Sequence, residues 1–253
     1  MKLKVWLVLA LSVSSPLAGR PPDKCPPAVR LFEQKYRAAH TLRADFLELY
    51  RENGREVRSE AGAAYFGRPG KMRWEYESPE PDLFVIDGKW SWFYVPSDHA
   101  ATRIRARDSA DWRTPFALLA GEMKVSRICQ RVEPDPTQRA VSPEGAVFRC
   151  MLRGSPKETE KGAGDASSLF DSRAESVLFE LNATTGELFR IVASDPGGVT
   201  IEFRFANWQF DPPVEPSKFH FAPPRGVAIV DGDLGYPSQG KSPPLSSLSR
   251  NSK

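Results

Sequence analysis

The sequence predicts a mainly β protein of the α+β class, and three observations carry that prediction. Six strand-length runs follow one another from residue 41 to 107, five more follow between residues 124 and 210, and only two stretches show helical spacing. The breaks within the first set are short and turn-rich, so its strands pair antiparallel, because parallel pairing needs a long crossover. About eleven strands are more than a flat open sheet holds comfortably, so the sheet has to curl.

The elements can be taken in order. Lys2 and Lys4 precede the apolar run VWLVLALSV and the small-residue stretch SSPLAG, which ends before Arg20. That layout is a secretory signal cleaved near Gly19, with an apolar run too short for a stable bilayer span. Pro16 departs from an ideal cleavage site and leaves a retained N-terminal anchor as the alternative. Val29, Phe32, Tyr36 and Ala39 then fall at helical spacing, with Arg30, Glu33 and Arg37 turned away. From residue 41 the period changes to two: TLRADFLELYRE, EAGAAYFG, KMRWEYE, DLFVID, WSWFYV and ATRIRAR are separated by ENG, RPG, SPEP, DGK and PSDHA.

A second helix fits DWRTPFALLAGE, with Thr114 as cap, Pro115 in the first turn and Gly121 at the end. The later strands are KVSRICQRV, GAVFRCML, SVLFELN, ELFRIVAS and VTIEFRFANWQF. A polar insertion at about 154–176 interrupts them and reads as a loop, and residues 237–253 read as a disordered tail. The expected division is a signal peptide at 1–19, one domain at 20–236 and the tail at 237–253.

Composition and motifs exclude several functions. Cleavage at Gly19 would take the formal charge from +3 to +1, which gives no reason to expect nucleic acid as a partner. His40, His99 and His220 have no cysteine or acid at metal-ligand spacing, so neither a metal nor a cofactor is expected. There is no GxSxG elbow, phosphate loop or dinucleotide fingerprint. Glu75 and Glu77 share a strand face with Lys71 and Arg73, which reads as solvated charge and not as a glycosidase pair, so no catalysis is expected. Cys129 and Cys150 lie in strand-like runs joined by a turn-rich linker, and in an exported chain they are a candidate disulfide with Cys25 left over. Three separate thiols are the alternative, since spacing alone proves no bond.

What stands out is aromatic surface. Alternation puts Met72, Trp74 and Tyr76 on one face of a strand, Phe84 and Ile86 on one face of the next, and Trp90, Trp92 and Tyr94 on one face of the third. Which face turns inward is open, because Leu83, Val85, Phe93 and Val95 give the opposite faces an apolar claim as well. Composition alone favours a closed core.

The segments RPGKMRWEYESPEPDLFVIDGKWSWFYVPSDHAAT, TPFALLAG and PSKFHFAPPRGVAIVD, in that order, resemble the LolA family of periplasmic carriers of outer-membrane lipoproteins. The resemblance spans about residues 28 to 233. It implies an incomplete antiparallel barrel of about eleven strands closed by a helical lid, with lipid acyl chains held between sheet and lid and no enzymatic activity. The implied partners are acylated lipoproteins as cargo, an inner-membrane LolCDE-type ABC exporter and an outer-membrane acceptor, LolB-like or of another kind. A carrier that must diffuse and expose its opening is most simply a monomer.

The resemblance favours a cavity over a closed core, lined by the eight residues just named, with Phe116 and Leu119 covering it from the second helix. It also implies a latch: Arg68, before Pro69, matches a family arginine that bonds to lid backbone and holds the empty carrier shut. A solvated turn arginine is the reading without the family. The insertion, the candidate disulfide and the tail depart from the family pattern. The same half-barrel also suits a lipid or glycolipid carrier, or a lipid-binding periplasmic sensor.

Overall fold

The computed structural model describes residues 25–106, 116, 119–121, 124–153, 176–194 and 196–232. The expected leader, most of the second helix, residues 154–175 of the insertion and the tail lie outside the described residues.

Helix α1, Pro27–Ala38, starts with proline in its first turn, where a missing N–H costs nothing. It buries Val29, Phe32 and Tyr36 from one side, as its spacing requires. Strands β1 Thr41–Glu52, β2 Arg55–Gly67, β3 Lys71–Ser78, β4 Leu83–Ile86, β5 Trp90–Val95 and β6 Ala100–Arg105 form the expected meander. Strands β7 Cys129–Pro134, β8 Gly145–Leu152, β9 Ser176–Asn182, β10 Leu188–Ser194 and β11 Val199–Phe210 form a second one. Pairing of β1 with β11, Phe46 opposite Phe205 and Glu48 opposite Phe203, joins the two into one open, curled sheet. Its concave side carries the main core, and α1 packs there.

Two expectations need correction. A twelfth strand, β12 Ala228–Asp231, runs parallel to β6 at one edge, with Ala228 opposite Ala100. Its four residues sit among prolines, and residues 106–227 supply the crossover that parallel pairing demands. The run beginning at Lys124 is not strand throughout: Val125–Ile128 form one helical turn, α2, which buries Val125 and Ile128 at i, i+3. The strand begins only at Cys129.

The bridge Cys129–Cys150 closes β7 onto β8 across 21 residues of sequence. Loop closure of that size removes enough unfolded-state freedom to contribute about 3 kcal/mol. A Cys129→Ala/Cys150→Ala variant should lose that much in urea unfolding under oxidising conditions and match the reduced wild type.

Tyr36 fixes α1 to the sheet. Its ring, 1% exposed, meets Trp208 edge-on at 5.0 Å and Phe210 at 5.3 Å, and its hydroxyl accepts the Leu188 N–H at 3.0 Å. Gly186 lets the β9–β10 turn reach the helix, since a Cβ there would stand 2.5 Å from the Phe32 nitrogen. Lys35 pairs with Glu187 beside it. Tyr36→Phe keeps the ring and strands the buried Leu188 N–H, a loss of about 1–3 kcal/mol measurable in thermal or urea unfolding.

Candidate functional site

The concave face is built by alternation along each strand. Leu42, Ala44, Phe46 and Glu48 of β1 point inward, and the β1–β2 and β2–β3 registers put Phe66, Met72, Trp74 and Tyr76 on the same side. Phe84 and Ile86 join them, opposite Trp74 and Met72.

Trp74 is the centre. Its ring lies 4.8 Å from Phe46, 5.3 Å from Phe203 and 4.9 Å from Phe116, mostly edge to face. Phe116 also meets Phe203 at 4.8 Å, and Leu119 beside it is 1% exposed. These two residues therefore cover the middle of the face, and a ligand between sheet and cover has to displace Phe116.

Trp90, Trp92 and Tyr94, expected on this face, are on the other one. Val85 pairs with Trp92 and Leu83 with Tyr94, so β5 turns Ser91 and Phe93 inward, opposite Ile86 and Phe84. The cause is the hairpin loop. Asp87 and Trp90 bond around Gly88 and Lys89, and a two-residue loop pairs even numbers with odd ones. The DGK sequence already held that information. On the convex side Trp92 and Tyr94 pack on Phe221 at 5.5 and 5.4 Å, and Arg103 stacks over Trp90 at 4.7 Å. The aromatic hairpin thus serves two layers, the concave face and a strap formed by the C-terminal segment.

At the Ala39 end of α1, Arg68 Nη2 donates to the Tyr36 carbonyl at 3.0 Å. Its guanidinium also lies against the backbone of Gly121, where a Cβ would stand 2.5 Å from Nε, at a residue whose φ of +78° already favours glycine. One side chain therefore touches both α1 and the end of the covering segment.

At the opposite end of the face stands a group that the sequence reading missed. Glu48 is 1% exposed, and Tyr76 Oη donates to its Oε2 at 2.8 Å. Burial first, and then the neighbouring Glu60 carboxylate, push the Glu48 carboxyl up to about 8. The same parity as Leu42, Ala44 and Phe46 could have placed it inward; flanking Leu47 and Leu49 hid that signal.

His40, His99 and His220 are all exposed, and no cluster of potential metal ligands occurs among the described residues. Glu75 pairs with Arg73 and Lys218 on the convex side, which holds its carboxyl below the usual range despite partial burial.

The family described as outer membrane lipoprotein carrier protein LolA matches residues 37–142. A protein of Nitrosospira multiformis named outer-membrane lipoprotein carrier protein is 31% identical over 194 residues, covering 76% of this chain and 83% of its own. The chain belongs to the LolA family. A second LolA relative bearing that name, from Chromobacterium violaceum, is 31% identical over 76% of this chain and 82% of its own, and a third, from Nitrosomonas europaea, is 30% identical over 80% and 88%. Among solved structures, a conserved protein of Thermus thermophilus aligns over 81% of this chain and 97% of its own, with 11% identity and a TM-score of 0.47.

Proposed function

We infer that this LolA-family protein is a periplasmic, non-catalytic carrier that holds the acyl chains of lipoproteins against the concave face and takes them to the outer membrane. The observation that carries the reading is the aromatic face centred on Trp74, covered by a segment that touches it through Phe116. In this reading residues 1–19 direct export, the half-barrel of residues 20–236 does the carrying, a LolCDE-type exporter loads it, and an outer-membrane acceptor unloads it.

Energetics explain why such a face is needed. Each methylene exposed to water costs about 0.8 kcal/mol, so one chain of ~15 methylenes costs roughly 12 kcal/mol and three cost roughly 36. A carrier has to supply apolar surface of similar extent, and aromatic rings provide it with few bonds to freeze. Met72, Trp74, Tyr76, Phe84 and Ile86 provide it from the sheet, with Phe116 and Leu119 from the cover. Arg68 acts as the latch of the empty state, through Tyr36 and Gly121.

The test is to add the mature protein to spheroplasts or to inner-membrane vesicles with ATP and follow newly made lipoproteins. Release of a triacylated lipoprotein into the soluble fraction, in a stable one-to-one complex, is expected. Absence of release, with binding of free lipid intact, would overturn the lipoprotein assignment and leave a lipid carrier or sensor.

A further inference from the structure

Three other buried acids among the described residues, Glu180, Glu202 and Asp135, each have an arginine partner. Glu180 and Glu202 lie on the convex side, where Arg190 stands 2.9 Å from the first and Arg51 and Arg204 stand 2.7 and 2.6 Å from the second. Asp135 pairs with Arg149. Glu48 is different: it stands in line with Phe46 on the concave face, and its cross-strand neighbours are Phe203 and Glu60. Oε2 is taken by Tyr76, while Oε1 has no hydrogen-bond partner and only a long ion pair, with Arg58 Nη2 at 4.0 Å. Arg58 is instead close to Glu60, at 3.1 Å.

A carboxyl so placed costs stability that a leucine would not, unless something answers Oε1. Because Tyr76 delivers its proton to Oε2, Oε1 is the oxygen left to carry a proton of its own. Burial and the neighbouring Glu60 favour the protonated form against the long Arg58 pair, and in that form Oε1 is a donor in need of an acceptor. A phosphate would meet repulsion from Glu60, and an ammonium would need the ionised acid. A neutral carbonyl suits it. From Glu48 to Leu42 the face is apolar over six residues, about 20 Å of strand, comparable to one extended acyl chain.

We propose that Glu48 is the polar subsite of the acyl-chain face, where Oε1 donates a hydrogen bond to the carbonyl oxygen of the ester or amide that joins a chain to its head group. The proposal rests on the carrier reading above and assigns the position of the head group within it. Chains then run from Glu48 toward Leu42 and the Arg68 end.

The test compares a synthetic dipalmitoyl-ester lipopeptide with its dialkyl-ether counterpart, which has the same chains without those carbonyls, on the full mature protein. The wild type should bind the ester about tenfold tighter, the worth of one hydrogen bond to a group otherwise left unsatisfied. Glu48→Gln keeps an N–H donor and should retain most of that preference. Glu48→Leu and Glu48→Met should bind both ligands equally, and a cooperative urea transition reports that the variants are folded. A wild type that binds both without preference, or an apolar variant that keeps it, would overturn the subsite and leave the carrier reading intact. A wild type that binds neither ligand removes both.

Discussion

Arg68→Leu is expected to accept acylated cargo and fail to hand it on. In the closed state the guanidinium donates to the Tyr36 carbonyl and lies against Gly121, so it contributes only while α1 and the covering segment are both in place. A hydrogen bond from a charged donor contributes about 1.5–3 kcal/mol, and in the proposed cycle cargo that lifts the cover takes Gly121 off the guanidinium and opens its bond to Tyr36 to water, which forfeits much of that. In that proposed cycle reclosure returns the free energy when cargo leaves, which makes release downhill without nucleotide. Leucine fills space without bonding, so retention should rise by about ten- to a hundredfold. Gly121→Ala should act in the same direction, because its methyl group would occupy the place of Nε. Transfer to acceptor vesicles, read as the fraction of lipoprotein still soluble, decides the matter: normal transfer by both variants would sink the latch.

Glu48→Gln should stabilise the empty protein in alkali and leave it unchanged in acid. The folded-state value is pushed up to about 8 from an ordinary 4.5, so between those two pH values the folded chain holds a proton that the unfolded chain releases. Wild-type stability from this group is therefore intact below about pH 4.5 and declines as pH rises to about 8, by at most about 5 kcal/mol. Glu60 is raised for the same reason, burial, and its slope has the same sign. Glu202, held low by Arg204 and Arg51 against the cost of burial, has the opposite slope and loses its contribution on acidification. Comparing variant with wild type at each pH removes uncoupled groups such as Glu202 from the difference, while the Glu60 slope, coupled to Glu48, changes with it. Glutamine can still accept from Tyr76 and carries no charge. Urea unfolding at pH 3.5 and pH 8.5 should show almost no difference at the first and several kcal/mol at the second; a gap independent of pH would mean that Glu48 does not titrate in this window.

The six strands from Thr41 to Arg105 were legible because strict alternation is punctuated by Gly, Pro and Asn at short intervals. Helix α1 was legible through four apolar positions at one spacing. β12 was not, since four residues are too few to establish a period and its partner is more than a hundred positions away. The side taken by Trp90, Trp92 and Tyr94 depended on loop length and not on their own strand. The bond from Arg68 to Tyr36 spans 32 positions that no periodicity links, so the sequence pointed to the arginine only through its family. Glu48 has no signal of its own type, and only its parity with Leu42, Ala44 and Phe46 along β1 places it inward.

The anchoring of α1 gives the opening a side. Its hydroxyl bond at Leu188, the close fit at Gly186 and the Lys35 pair tie that helix to the β9–β10 turn. The covering residues Phe116 and Leu119 meet the sheet through apolar contact, which is lost and regained without a fixed donor or acceptor having to be matched. Under the carrier reading proposed above, α1 is then the fixed jaw and the cover residues Phe116, Leu119 and Gly121 the part that gives way, so the mouth would part along the flank away from α1 and a loading or unloading partner would approach from there.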